Sequence, residues 1–175
     1  IYSNVLYHFG RGIAFSHKQN FNDAGKELDK MREFMKDSSL NIPFIPFSAA
    51  IEGAEVAEQL LLGIIHEQRK LYDGAIRHFR QADSIEVNMV YNEPRDWLLN
   101  PKHYLGNAYI KAGKFVDAIS ILQKDLLNNS ENGWALFGLW EALTAKNKPA
   151  EGAKILTRFK KAFDKADVKL YGPVF

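Results

Sequence analysis

The sequence predicts an all-α protein built from about four helix-turn-helix pairs, with two loop insertions between pairs. Three observations favour this fold class. One pattern of small and aromatic residues recurs along the chain, a glycine falls where a helix is expected to end, and prolines cluster between copies of the pattern. The chain has 175 residues, 46% of them hydrophobic and 25% charged, which is enough to bury the core of an ordinary domain. We therefore predict a single domain over residues 1–175.

The recurring pattern is clearest over residues 105–119. Gly106 is followed three residues later by Tyr109, and after a short polar turn Phe115 is followed three residues later by Ala118. Two antiparallel helices that cross closely need glycine or alanine where their backbones approach, and large apolar side chains alongside. Gly113, in the turn, supplies the left-handed residue that ends the first helix. The stretch is typical of a helix-turn-helix pair.

Three further copies of the pattern are recognisable, two before the clearest one and a degenerate one after it. Their defining residues are Gly12, Phe15, Phe21, Ala24 and Leu28, then Gly63, His66, Tyr72, Ala75, Phe79 and Ala82, and finally Phe137, Trp140, Glu141, Thr144 and Ala153. The equivalent alanines at positions 24, 75, 118 and 153 are 51, 43 and 35 residues apart. The two longer intervals predict the two insertions.

The predicted helices follow this periodicity. Ser48 is the expected N-cap of the third helix, and Asn100 and Pro101 are the expected N-cap and first turn of the fifth. The eight helices are predicted near residues 3–18, 21–36, 47–69, 72–87, 97–112, 115–128, 132–146 and 149–164, which gives repeats near 3–36, 47–87, 97–128 and 132–164.

A short C-terminal tail, residues 165–175, follows the last predicted helix. Tyr171, Val174 and Phe175 make it too apolar to be left loose. The end of a stack of repeats exposes apolar surface that a further repeat would cover. We expect the three side chains to pack on that end.

The first insertion, residues 37–47, alternates prolines with large apolar residues, and the prolines prevent a helix from continuing through it. Its expected role is a lid packed over the ends of neighbouring helices, and a binding segment is the alternative. The second insertion, residues 87–100, contains Tyr91, Glu93, Arg95 and Trp97. Trp97 lies between Pro94 and the start of the next helix, so we predict a structural anchor rather than a ligand-stacking residue.

The helix-turn-helix pattern resembles the tetratricopeptide repeat (TPR), a unit of about 34 residues that stacks into a solenoid with a concave groove. Three stretches sharpen the resemblance: Tyr-x-Glu-Pro-x-x-Trp at 91–97, Leu-Gly-x-Ala-Tyr at 105–109 and Asn-Gly-Trp-Ala-Leu-Phe-Gly-Leu at 132–139. They look like the C-terminal part of a poorly characterised bacterial TPR family. The resemblance covers nearly the whole chain and implies a right-handed α-α superhelix, while it leaves the ligand open.

Charge and composition argue against several classes of partner. The 23 basic and 21 acidic residues give a formal net charge of +2 and are spread along the chain, so we predict neither nucleic-acid binding nor attraction to acidic lipids. The apolar runs are far shorter than the roughly 20 residues of a membrane span. The absence of cysteine excludes disulfides and leaves the compartment, cytoplasmic or periplasmic, open. A start at Ile1 without a leader suggests a piece of a longer protein.

Catalytic and metal-binding patterns are weak in this sequence. None of the five histidines has a second histidine at a metal-ligand spacing, and His66-Glu67 begins like a zinc-protease motif but position 70 is Lys70. His66 takes the place held by Phe15 and Tyr109 in sibling copies, so we expect a packed or hydrogen-bonded core histidine. The sequence predicts no enzyme, no catalytic residue, no metal and no cofactor.

In a TPR solenoid the first helix of each pair lines the groove. The side chains expected there are Leu6, Phe9, Ile13 and His17, then Leu60, Ile64 and Gln68, then His103, Asn107 and Lys111, and lastly Gly138, Ala142 and Lys146. This lining shifts from apolar to polar along the chain. Asn107 and Lys111 resemble the residues with which some TPR proteins clamp a peptide carboxylate, although the other repeats lack a second set of polar donors. We expect both to be exposed.

The resemblance implies a non-enzymatic scaffold that binds a protein or peptide in this groove. Two alternatives stay open: a small-ligand or enzymatic site where the Tyr91–Trp97 loop meets the groove beside His103, and a structural scaffold that packs against its own upstream repeats. The predicted site residues are Leu60, Ile64, Gln68, His103, Asn107, Lys111 and Lys146 in the groove, with Tyr91, Glu93, Arg95 and Trp97 in the loop.

Overall fold

The structure is a computed structural model that describes residues 1–43, 45–90 and 97–174. Within these ranges the chain is helical and contains no strand, which confirms the all-α prediction. No described helix is long and apolar enough to cross a membrane. The helices are α1 (Tyr2–His17), α2 (Phe21–Met35), α3 (Ala50–Gln68), α4 (Tyr72–Asn88), α5 (Pro101–Lys111), α6 (Phe115–Asn128), α7 (Gly133–Ala145) and α8 (Pro149–Ala162), with one 3-10 turn at Ser38–Asn41.

The two helices of every pair are joined by the same three-residue turn. Its second residue has a positive φ in all four pairs: 58° at Gln19, 60° at Lys70, 71° at Gly113 and 58° at Asn147. In the third pair the N–H of Gly113 donates to the carbonyl of Ile110 at 3.0 Å, and the next N–H donates to the carbonyl of Tyr109 at 2.8 Å. This is the Schellman arrangement of a helix end. The other three turns make the same two bonds without a glycine.

These turns define which residues are equivalent in the four pairs. From Gln19 to Lys70, Lys70 to Gly113 and Gly113 to Asn147 the spacing is 51, 43 and 34 residues. The residue five positions after each left-handed one is small and buried: Ala24, Ala75, Ala118 and Gly152. The prediction of Ala153 at this position in the fourth pair is wrong, because the equivalent residue there is a glycine and Ala153 is exposed.

Two helix starts differ from the prediction. α5 begins at Pro101 and not near residue 97, since a residue before proline is disfavoured in the helical region. The expected start at Asn100 and Pro101 is therefore the correct one. α3 begins at Ala50 and Ser48 does not cap it. Instead the Oγ of Ser48 accepts a hydrogen bond from the N–H of Val90 at 2.8 Å, which ties the first insertion to the end of α4.

The chain divides into two compact units, Ile1–Pro101 and Lys102–Phe175. In the first unit α1 packs on α2 and α3, and α3 packs on α4. Small residues lie at the close approaches, as the pattern predicted. A Cβ on Gly12 would lie 2.7 Å from the Cδ2 of Leu61, and a Cβ on Gly63 would overlap the ring of Phe79. The core of this unit thus depends on glycine facing a large side chain.

In the second unit α6 packs against both α5 and α7, and α7 packs against α8. Gly106 faces Leu122, whose Cδ2 lies 2.8 Å from the position of a Cβ there. Aromatic rings fill the space between α7 and α8, with ring centroids 5.3 Å apart for Phe137 and Phe159 and 5.2 Å apart for Phe159 and Phe163. The degenerate fourth copy is therefore a helix pair held by aromatic residues in addition to small ones such as Gly152.

The first insertion is not a lid over its described length. Asp37 caps the 3-10 turn by accepting from the N–H of Ser39 at 2.9 Å, and Leu40 is buried. Every other described apolar side chain between residues 37 and 47 is exposed, and Ile45 is 87% exposed. Phe44 lies outside the described residues. Among its described apolar side chains, the segment buries one leucine and exposes the others.

Candidate functional site

The groove residues predicted on α5 fall into two classes. The first nine residues of this helix, 101–109, are all buried. His103 and Asn107 are therefore buried side chains, while Lys111 at the end of the helix is exposed. The expectation that Asn107 is an exposed groove residue is wrong, because a segment from the C-terminal end of the chain lies over it.

His103 takes part in a buried polar cluster between α5 and α6. Its Nε2 lies 3.0 Å from the Oδ2 of Asp125, and the Oδ1 of Asp125 accepts from the side-chain amide of Asn129 at 2.6 Å. Asp125 is completely buried. Buried charged groups need such partners, because an unpaired one loses its hydration without compensation.

The other pairs hold apolar residues where this cluster lies. His103 is ten residues before the left-handed turn residue and Asp125 is twelve after it. The residues at the same two positions of the other pairs are Phe9 with Met31, Leu60 with Ala82, and Phe137 with Phe159. Sequence reasoning did not include Asp125, although a carboxylate where the siblings are apolar was a visible signal. The third pair therefore departs from the repeat at two buried positions.

The segment after α8 turns back across the second unit. Residues 166–170 and 174 have no regular secondary structure, and 171–173 form a bend. Leu170, Gly172 and Pro173 are buried, whereas Tyr171 is 83% exposed. The prediction that Tyr171 packs on the end of the last repeat is wrong. Val174 is half-buried, and Phe175 lies outside the described residues.

Two glycines mark the contacts of this segment with the first helices of the two pairs. A Cβ on Gly138 of α7 would lie 2.8 Å from the Cβ and 2.9 Å from the Cγ of Pro173. A Cβ on Gly172 would lie 3.1 Å from the Oδ1 of Asn107 on α5. We refer to the surface formed by Asn107, Phe137 and Gly138 as the α5/α7 face, and to residues 168–174 as the C-terminal segment. The face and the segment meet at van der Waals distance with no room for added atoms.

A pocket adjoins this contact at its aromatic end. It has a volume of about 390 Å³ and is lined by the rings of Phe137, Phe159 and Phe163, by the side chain of Lys160, and by residues 168–170 of the C-terminal segment. Leu170 is thereby placed against the aromatic cluster. The side of the α5/α7 face nearest α8 is apolar as a result.

At the polar end of the predicted groove, the positive charge of Lys111 acts on the carboxyl group of Glu141. Burial raises the pKa of Glu141, and the nearby ammonium of Lys111 acts in the opposite direction. Lys111 is therefore already close to a carboxylate of its own chain. Lys146, in the turn after α7, is exposed.

Three of the seven predicted groove residues of the first unit are buried: Phe9, Leu60 and Ile64. Leu6 and His17 are exposed, and Ile13 is half-buried. Gln68 is half-buried with its Nε2 3.3 Å from the Nδ1 of His17. His66 is hydrogen-bonded as expected, with its Nδ1 2.8 Å from the carbonyl of Leu62.

His66 also lies beside a second histidine that its spacing in the sequence did not indicate. The ring centroids of His66 and His78 are 4.9 Å apart, on α3 and α4. Burial and the neighbouring His66 lower the pKa of His78. Among the described residues no group of three or more histidine, aspartate or glutamate side chains is arranged to hold a metal ion.

Among the predicted site residues of the second insertion, only Trp97 belongs to the part of the chain that the structure describes. Its side chain is 8% exposed and its ring centroid is 5.6 Å from that of Phe9. Its Cε3 lies 3.8 Å from the position of a Cβ on Gly53 of α3. Trp97 is thus packed into the core of the first unit. Tyr91, Glu93 and Arg95 lie outside the described residues.

No protein-family model matches the chain, and no curated protein is significantly similar to it.

Proposed function

We propose that this chain is a non-enzymatic scaffold module, a right-handed TPR-like superhelix of four repeats that binds an extended peptide segment on its α5/α7 face. Four helix pairs closed by the same left-handed turn support the repeat assignment. Repeats of this kind bury their apolar faces by stacking, and they bind ligands on the surface that the first helices line.

One observation carries the binding proposal. A non-helical segment of the chain already lies on the α5/α7 face, with Pro173 against Gly138 and Gly172 against Asn107. A surface that accepts one extended segment has the shape and the apolar character needed to accept another. The closeness of Lys111 to Glu141 favours binding through the main chain and apolar side chains over capture of a free carboxylate.

The test uses the full chain and random peptides. Peptides are selected from a displayed library on the immobilised wild-type chain and on a Pro173→Asp variant, and their affinities are measured by fluorescence polarisation. We expect binding to weaken at least fivefold in Gly138→Ala, because the added methyl group takes the place of a ligand side chain. Gly10→Ala is the matched control, since no atom lies within 4 Å of a Cβ there.

Two results would contradict the proposal. Peptides that bind wild type and Gly138→Ala equally well would place the binding surface elsewhere. Selection that enriches no peptide on either chain would show that the α5/α7 face is not a peptide site.

A small-ligand site beside His103 is the second candidate. It is favoured by the buried polar pair His103 and Asp125, at positions where the other three pairs are apolar. A melting-temperature screen of small molecules tests it. A stabilising compound should lose its effect in the double variant His103→Leu/Asp125→Leu.

A further inference from the structure

The C-terminal segment contacts the protein at three positions and leaves one free. Leu170, Gly172 and Pro173 are buried, and Tyr171 between them points to solvent. Leu170 and Gly172, two residues apart, face the protein, and the bend at residues 171–173 places Pro173 on it as well. The contact thus favours leucine at position 170, a small residue at 172 and proline at 173, and it places no requirement on position 171.

Each of the three buried positions has a steric reason for its residue. At position 172 a side chain would crowd the Oδ1 of Asn107, 3.1 Å from a Cβ. Pro173 has no N–H, so its burial against Gly138 leaves no donor without a partner. Leu170 lies at the pocket of Phe137, Phe159 and Phe163. A segment with another pattern would lose at least one of these fits.

The connection between this segment and α8 is short and exposed. Residues 164–167 are all exposed, and they include a turn closed by a bond from the N–H of Ala166 to the carbonyl of Phe163 at 3.2 Å. A short tether holds its ligand at an effective concentration of the order of millimolar. A tethered segment of modest affinity therefore occupies the face. A competing partner must bind tightly enough, at its own concentration, to displace it.

We propose that residues 170–173, Leu-Tyr-Gly-Pro, are an internal ligand of the α5/α7 face, and that the partner of this face is an extended segment of another protein with the same Leu-x-Gly-Pro pattern, which displaces them. The inference rests on the proposed function and adds to it the chemistry of the partner and a means of regulation. The C-terminal segment lowers the apparent affinity for every partner by the fraction of time that it occupies the face.

The first experiment measures displacement with a defined probe. The probe is a synthetic peptide with the sequence of residues 168–174, labelled with fluorescein at its N-terminus, and the protein is the full chain. We expect Pro173→Asp to bind it at least tenfold more tightly than wild type, because the charged side chain cannot lie on Gly138. Tyr171→Ser changes a side chain that contacts solvent and should bind like wild type. Adding Gly138→Ala to Pro173→Asp should remove the gain.

A second variant keeps the proposal testable if Pro173→Asp does not fold. A protease site is placed in the exposed residues 164–167, and the folded chain is then cleaved and diluted. An internal ligand should dissociate and leave the helical circular dichroism signal within about a tenth of its starting value. Loss of that signal on release would mean that the segment is part of the core, and would overturn the proposal.

The outcomes separate this inference from the proposed function. If library peptides bind through Gly138 but the probe binds wild type and Pro173→Asp equally, the face is a peptide site and the internal-ligand proposal is wrong. Enriched peptides without the Leu-x-Gly-Pro pattern would overturn the partner chemistry alone. A wild-type dimer that exchanges its C-terminal segments, seen by size-exclusion chromatography, would make a second copy the occupant and also overturn it.

Discussion

The Nε2 of His103 lies 3.0 Å from the Oδ2 of Asp125 inside the α5–α6 pair. Both residues stand where the other three pairs carry apolar side chains. Buried hydrogen-bonded pairs of polar side chains contribute little net stability compared with apolar residues of similar size, but removing one partner is strongly destabilising. The pair is therefore more informative about specificity or function than about the strength of the fold.

This relationship predicts a non-additive pair of substitutions. His103→Leu should lower the free energy of unfolding by about 3 kcal/mol, because the buried carboxylate of Asp125 loses its imidazole partner. The double variant His103→Leu/Asp125→Leu should return to within about 1 kcal/mol of wild type, as the apolar siblings at these positions suggest. Urea unfolding of wild type, the single variants His103→Leu and Asp125→Leu, and the double variant measures the coupling energy between the two side chains. A double variant as unstable as the single one would contradict the prediction.

Trp97 and its neighbour Leu98 give a matched pair of truncations. Trp97→Ala should lower the free energy of unfolding by about 3–5 kcal/mol, because the buried indole packs on Phe9 and lies close to Gly53. Leu98 is 90% exposed, so Leu98→Ala should change the free energy of unfolding by less than about 0.5 kcal/mol. Chemical denaturation of both variants checks this. Equal midpoints for Trp97→Ala and wild type would show that the tryptophan is not an anchor.

The left-handed turns predict opposite effects of glycine at adjacent positions. Gln19 has a φ of 58°, a conformation that is unfavourable for a residue with a Cβ, whereas Lys18 has a φ of –80°. Gln19→Gly should raise the free energy of unfolding by about 0.5–1 kcal/mol, and Lys18→Gly should lower it. Thermal unfolding of the two variants gives the signs directly. A loss of stability in both would mean that the left-handed backbone is not strained at Gln19.

The cluster of His8, Arg11 and Glu27 predicts a dependence of stability on pH. Burial alone would raise the pKa of Glu27, but hydrogen bonds from His8 at 2.6 Å and from Arg11 hold it below its ordinary value of 4.5. A carboxylate with a lowered pKa stabilises the folded state above that ordinary value, and the contribution is lost as the pH falls through the lowered pKa. The stability difference between wild type and Glu27→Gln should therefore be largest above about pH 5.5 and should shrink below pH 4.5.

Urea unfolding at pH 7 and at pH 4 measures that difference. Glu33→Gln, an exposed carboxylate on the same helix, is the control and should change stability by less than about 0.5 kcal/mol. A Glu27→Gln difference that stays constant between the two pH values would contradict the assignment.

The helices were predictable because their signals are local. Small residues at close approaches, Gly113 at a left-handed position and Pro101 at a helix start each act on neighbouring backbone. The turns at Gln19, Lys70 and Asn147 were also predicted, but their left-handed backbone was not, since each of these residues has a Cβ.

The candidate site was less predictable because it depends on contacts between residues distant in sequence. Asn107 was placed correctly on the first helix of its pair, but its burial depends on Gly172, which is 65 residues further along the chain. His66 and His78 lie on different helices, and no sequence spacing shows that their rings meet. Periodicity gives the face of a helix, and it does not show which segment covers that face.

The identical turns within pairs also bear on how such a chain can change length. The turn within each pair is three residues long in all four cases. Added residues in this turn would shift the two packed helices relative to each other. Between pairs the connections span residues 36–49, 89–100 and 129–132, and they differ freely in length. Insertions are therefore better tolerated in the connections between pairs than in the turns within them. The exposed residues 45–47 are a suitable site for an inserted epitope or a fluorescent label.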